Sequence, residues 1–147
     1  DAAYIAALRA AAPGHPVWKA FKVRGPEDLT AANASPADLV LLDNGRGTGE
    51  TFDWSLAGGV TRPCLLAGGL TPENIPEAVR RLHPFGLDIS SGVETDGKKD
   101  CAKILAAVSA AGKGCAGPGK TYPVFFQKLP ICPFPTGRDG ISWNHQR

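Results

Sequence analysis

The chain has 147 residues, 43% of them hydrophobic and 20% charged, with a formal net charge of +2. That is one domain's worth of ordinary globular composition, and it excludes fibrous, disordered and membrane classes, since no apolar run approaches the roughly 18–20 residues of a membrane span. The excess positive charge belongs to the C-terminal region, where Lys120, Lys128, Arg138 and Arg147 outweigh Asp139, so residues 1–113 are close to neutral. No basic stripe interleaved with aromatics appears, and nucleic-acid binding is not expected.

Residues 1–12 open with no signal-peptide pattern and no methionine, a start expected of a fragment. Tyr4, Ile5, Leu8 and Ala12 fall at helical spacing, and Pro13-Gly14 stops that helix. Residues 17–23 alternate as a strand, closed by Gly25-Pro26. Residues 27–34 form a short helix with Leu29 and Ala32 inward. Residues 38–43, Asp-Leu-Val-Leu-Leu-Asp, are a near-continuous apolar run, as in a parallel strand covered on both faces.

A glycine-rich loop, residues 44–50, and a short element holding Phe52 and Trp54 come next. Residues 62–67 are another apolar strand ending in Gly68-Gly69. Thr71 is a good N-cap with Pro72 at the first helical position, and Ile75, Ala78, Val79 and Leu82 line one helix face. His83-Pro84 ends that helix. Residues 86–90 form the last strand, and a final helix is expected to bury Cys101, Ile104, Leu105 and Val108. Strands alternating with helices through short loops predict a parallel α/β sheet, open or closed as a barrel. The absence of G-x-G-x-x-G after the first strand lowers the dinucleotide-binding option.

Residues 114–147 behave differently. Five prolines and five glycines interrupt them without helical or strand periodicity. They read as an irregular, disordered or non-native tail, docked at most through Val124-Phe125-Phe126. Pro130 and Pro133 make a single P-x-x-P, too little for a proline-rich ligand. The cysteines Cys64, Cys101, Cys115 and Cys132 have no CxxC spacing, and three histidines are scattered, so local zinc ligation is unsupported. Cys64 and Cys101 read as buried small hydrophobes.

Three segments that follow strands hold the polar residues of interest. Asp43 ends an apolar strand. At a barrel mouth a partly desolvated carboxyl holds a proton and donates it as a general acid; the same residue equally opens an Asx-turn. Gly68-Gly69 before a capped helix is a tight turn or a backbone anion site. Ser91-Gly92 after the next strand offers a second set of N–H donors, and two such consecutive loops match the phosphate site that barrels build after their last strands. Asp88 either bonds a sugar hydroxyl or orders its own loop.

Leu42-Asp43-Asn44-Gly45 with Gly47-Thr48-Gly49 and Thr51-Phe52-Asp53-Trp54-Ser55, then Leu66-Ala67-Gly68-Gly69-Leu70-Thr71-Pro72-Glu73-Asn74, then Asp88-Ile89-Ser90-Ser91-Gly92-Val93-Glu94 with Gly97-Lys98-Lys99-Asp100, resembles phosphoribosylanthranilate isomerase of tryptophan biosynthesis. The resemblance spans residues 4–111, with one glycine fewer in the loop after Asp43.

It implies a (β/α)8 TIM barrel of which this chain supplies the C-terminal half, strands five to eight. It implies an Amadori rearrangement of N-(5-phosphoribosyl)anthranilate without metal or redox cofactor. Asp43 matches the general acid; Gly68, Gly69, Ser91 and Gly92 match the phosphate site; Asp88 matches an aspartate near the substrate. The family's general-base cysteine and its carboxylate-binding arginine belong to the first two strands and have no counterpart here. An inactive chain on its own, a cytoplasmic location and self-association through an open half barrel follow as expectations. Another phosphosugar barrel, or a non-catalytic half-barrel module, are the alternatives.

Overall fold

The structure, a computed structural model, describes residues 2–43, 58–113 and 123–126. The expectations for the loop and aromatic motif at 44–57, and for most of the tail, lie outside these residues.

α1 (Ala2–Ala11) leads to β1 (Trp18–Lys22), α2 (Pro26–Asn33), β2 (Leu39–Asp43), β3 (Cys64–Leu66), α3 (Ile75–Leu82) and β4 (Gly86–Ile89). A 3-10 turn at Ser91–Val93, a hairpin of β5 (Glu94–Thr95) and β6 (Lys98–Lys99), α4 (Cys101–Lys113) and β7 (Val124–Phe126) complete it. β1 to β4 and β7 form one sheet in the order β1-β2-β3-β4-β7, and every pairing is parallel. Parallel neighbours need crossover connections, which the intervening helices supply.

Strand alternation divides the sheet into two faces. Val40, Leu42, Cys64, Leu66, Leu87 and Ile89 turn toward Leu29, Ile75, Val79 and Ile104 in one buried cluster. The alternate residues Leu39, Leu41, Asp43, Leu65 and Asp88 occupy the other face. α2, α3 and α4 thus cover the first of these faces. Tyr4 and Leu8 on α1 are exposed, at 67% and 37%. Only Ile5 of the expected helical stripe is buried.

Local chemistry fixes the helix boundaries. At the start of α2 the Asp28 carboxylate accepts from the N–H groups of Arg24 (2.8 Å) and Gly25 (3.3 Å), and Pro26 takes the first turn. His83 caps α3 in the left-handed region, φ 43°, with its N–H on the Val79 carbonyl. Thr71 does not cap α3 as expected. The helix begins at Ile75, with residues 72–74 in turns.

Arg62 joins α2 to β3 by donating to the carbonyls of Ala32 (3.4 Å), Ser35 (2.5 Å) and Ala37. Asn33 spans the same junction, donating to Gly59 O and accepting from Thr61 N–H. Asp38 pairs with Arg9 at 2.8 Å and accepts from Val17 N–H, tying α1 and the start of β1 to β2.

α4 is rotated from its expected setting. It buries Ile104, Ala107, Ala110 and Ala111, while Leu105 is 56% exposed and Cys101 is exposed. Small alanines let α4 lie close to α3, and a leucine there would hold it off. Cys64 is buried as expected, and burial pushes its thiol from 9.0 up to about 11. The folded state therefore holds this proton more tightly than the unfolded state. Its stabilising contribution is full below pH 9 and fades as pH rises toward 11. Iodoacetamide at pH 8.5 should label Cys101 in the native chain and leave Cys64 unlabelled, as read by peptide mass spectrometry. Equal labelling of the two would contradict this packing.

Candidate active site

Because β2, β3 and β4 are parallel, their C-terminal ends share one rim. Leu42, Leu66 and Leu87 are register partners, so Asp43, Ala67 and Asp88 follow at one level of the inner face. The Ala67 N–H donates to Leu42 O at 2.8 Å and carries the pairing that one step further. Asp43 and Asp88 thus stand two strands apart, roughly 10 Å between backbones. Asp43 is half-buried and Asp88 is buried at 8% exposure. Lys22 is the register partner of Asp43 on β1. The five candidates other than Asp43 lie on the two strand-end segments beside it.

The first loop runs through Gly68 and Gly69, with φ of 83° and 65°. Two successive left-handed residues require glycine and turn the chain sharply at the rim. Asn74 holds the loop: its side chain accepts from Thr71 N–H and donates to Gly69 O, both at 2.8 Å. Beside it the Thr71 hydroxyl bonds the Glu73 carboxylate and holds that group below its ordinary pKa.

The second loop is the turn at Ser91–Val93. Gly92 has a requirement that its sequence context did not reveal. A Cβ at this position would overlap the Leu70 carbonyl group and lie 3.3 Å from Thr71 Cα. The two glycine loops are therefore in backbone contact, and Gly92 is what lets them touch.

Lys99, to which the sequence assigned no role, is the buried cation that braces this loop. Its side chain is only 5% exposed. The ammonium donates to Ser90 O (2.9 Å), reaches Ser90 Oγ (3.4 Å) and pairs with Glu94 at 2.7 Å. Lys103 adds a bond to Glu94 O at 2.6 Å. Asp96 and Gly97, both at positive φ, make the tight hairpin turn that returns Lys99 beneath the loop. The Lys98-Lys99-Asp100 run carried that signal, without saying which lysine turns inward.

All six candidate residues thus lie on one rim. A carboxyl on β2 faces, across Ala67, two backbone loops whose positive-φ turns and 3-10 N–H groups suit an anion. No cluster of three or more metal-ligating side chains occurs among the described residues. A recess of about 470 Å³ lined by Val60, Arg62, Cys64, Leu66 and Phe85 lies on the helix-facing side of β3, the face opposite Asp43 and Asp88.

Residues 2–110 match the family described as N-(5'phosphoribosyl)anthranilate (PRA) isomerase. The N-(5'-phosphoribosyl)anthranilate isomerase of Pseudomonas fluorescens (strain Pf0-1) is 47% identical over 104 residues, 65% of this chain and 51% of the relative. The Acetivibrio thermocellus enzyme of the same name is 45% identical over 96 residues, 60% of this chain and 44% of that one. The crystal structure of phosphoribosyl anthranilate isomerase from Thermotoga maritima superposes with a TM-score of 0.62 at 37% identity, covering 74% of this chain and 57% of that one. One in complex with reduced 1-(o-carboxyphenylamino)-1-deoxyribulose 5-phosphate gives 0.59 at 36% identity, covering 74% and 54%. The chain spans about half the length of the relatives it matches. With the family match running through α1 to α4, the chain belongs to the N-(5'-phosphoribosyl)anthranilate isomerase family.

Proposed function

We propose that the chain is the C-terminal half of a (β/α)8 barrel, strands five to eight, and contributes the acid and the phosphate loops of phosphoribosylanthranilate isomerase. The observation that carries this reading is the shared rim: Asp43, Gly68-Gly69 and Ser91-Gly92 follow three adjacent parallel strands. α2, α3 and α4 pack on one face of the sheet, and Asp43 and Asp88 lie on the other, the face that a barrel turns inward.

In this reading Asp43 protonates the ribose ring oxygen and opens the ring. The loops at 68–69 and 91–92 hold the 5-phosphate through backbone N–H groups, and Asp88 orients a sugar hydroxyl. Lys99 sets the second loop. The Amadori rearrangement transfers protons only, so an acid and a base side chain suffice for it.

The base, a first-strand cysteine in the family, has no equivalent among these residues, and the chain alone is inactive in this proposal. A cytoplasmic location goes with it. So does association of two half barrels once the β4 edge is free, since β1 has a single strand neighbour among the described residues.

The test is complementation. A polypeptide carrying the first half of the Pseudomonas fluorescens relative is mixed with this chain, and isomerisation is followed by loss of anthranilate-ribonucleotide fluorescence. Neither part alone should turn over, and the mixture should. Turnover by this chain alone near a full-length enzyme's rate, or a stable heterodimer without activity, would refute the assignment.

A further inference from the structure

The last strand of the sheet comes from the proline- and glycine-rich tail. β7 pairs parallel with β4, matching Leu87 with Val124, Asp88 with Phe125 and Ile89 with Phe126. The Leu87 N–H donates to Pro123 O at 3.0 Å. Val124 and Phe126 pack against the buried cluster beside Leu87 and Ile89.

Gly86 makes room for this. A Cβ there would lie 2.8 Å from Pro123 O and 3.0 Å from Pro123 Cγ. Phe125 takes the inner face at the level of Asp88, and its ring meets that of Trp18 edge-on, with centroids 5.7 Å apart. Trp18 belongs to β1, the opposite edge of the sheet. The five strands therefore curl until their two edges touch through these rings.

In a closed barrel made of two such half barrels, each β4 must pair in parallel with β1 of the other copy. β7 already fills that position, with the required polarity. A three-residue edge strand preceded by proline is itself a poor template for a further strand. We propose that residues 123–126 are a built-in edge cap, competing with β1 of a second copy for the open side of β4 and holding the chain monomeric while docked. This rests on the half-barrel reading above and adds a control on how the half barrel finds its other half.

The full 147-residue chain is compared with Phe125→Pro, which removes a ladder N–H and the ring on Trp18, and with a chain ending at residue 122. Sedimentation equilibrium gives the monomer–dimer constant, and hydrogen exchange gives protection of the Leu87 and Ile89 amides. The intact chain should be monomeric over a range in which both variants dimerise, about tenfold tighter or more. Leu87 and Ile89 should stay protected in the variant dimers, because a partner strand replaces β7. A synthetic peptide of residues 121–128 should return Phe125→Pro to monomer.

Equal association constants, dimers with unprotected β4 amides, or variants that unfold without associating would each overturn the proposal. Dimers that form as expected, while complementation fails even with the chain ending at residue 122, whose β4 edge is open, would count against the catalytic reading and leave the cap standing.

Discussion

Replacing Asp43 with Asn in a complete barrel that carries this segment should lower kcat by about 10²–10⁴-fold, with unchanged thermal unfolding and little change in KM. Asn has the shape of Asp and can still accept and donate hydrogen bonds, so an Asx-turn at the end of β2 survives the change. What it cannot do is deliver a proton to a departing ring oxygen. The split between activity and folding therefore separates the two roles that a strand-end aspartate can play. The structure makes the comparison fair: Asp43 closes β2 with its carbonyl accepting from Val23 N–H at 2.7 Å, and the substitution leaves that backbone bond in place. Unaltered turnover would leave Asp43 with the turn alone. A proportional loss of stability and activity would mean the carboxylate holds the rim together and does not act on substrate.

The strands were legible because parallel strands buried on both faces are written as apolar runs, and 39–43 and 64–66 are such runs. The helical stripe Ile75, Ala78 and Val79 was legible for the same kind of reason, one face at period 3.6. α4 was misread because two overlapping stripes are available there. Leucine and valine are the more apolar choice, but the space beside α3 admits alanine, and packing volume overrode hydrophobicity.

The tail's docking point was legible as its run of three β-formers, Val124-Phe125-Phe126, and the structure seats that run on β4; its partner and polarity were not legible, because three residues have no period to read. Lys99 was invisible in another way: a lysine in a run of charges reads as solvated, and only the hairpin turn at Asp96-Gly97 shows that it faces inward. At the site itself, sequence reached the residue types and their order along the chain. It could not reach the contact between the two glycine loops, because that depends on how β3 and β4 stagger in space.

That contact predicts a large stability effect from a single methyl group, since an added Cβ would clash more tightly at Gly92 than at Gly25, Gly86 or Gly97. Gly92→Ala should lower the unfolding free energy by about 3 kcal/mol, seen as a drop in the urea midpoint at constant m-value. The φ of Gly92 is not in the left-handed region, so alanine meets no Ramachandran penalty there. The whole cost is steric, and its partner is the Leu70 carbonyl group, which no rotamer change can move. Relief requires the loop at 68–71 to shift, and Asn74 resists that with its bonds to Gly69 and Thr71. Gly97 is the internal control. A Cβ there has nothing within 4 Å, but its φ of 72° imposes backbone strain alone, of about 1 kcal/mol. Gly97→Ala should therefore cost less than Gly92→Ala. If the order reversed, the two loops would not be in contact, and an anion held jointly by their N–H groups would lose its geometric basis.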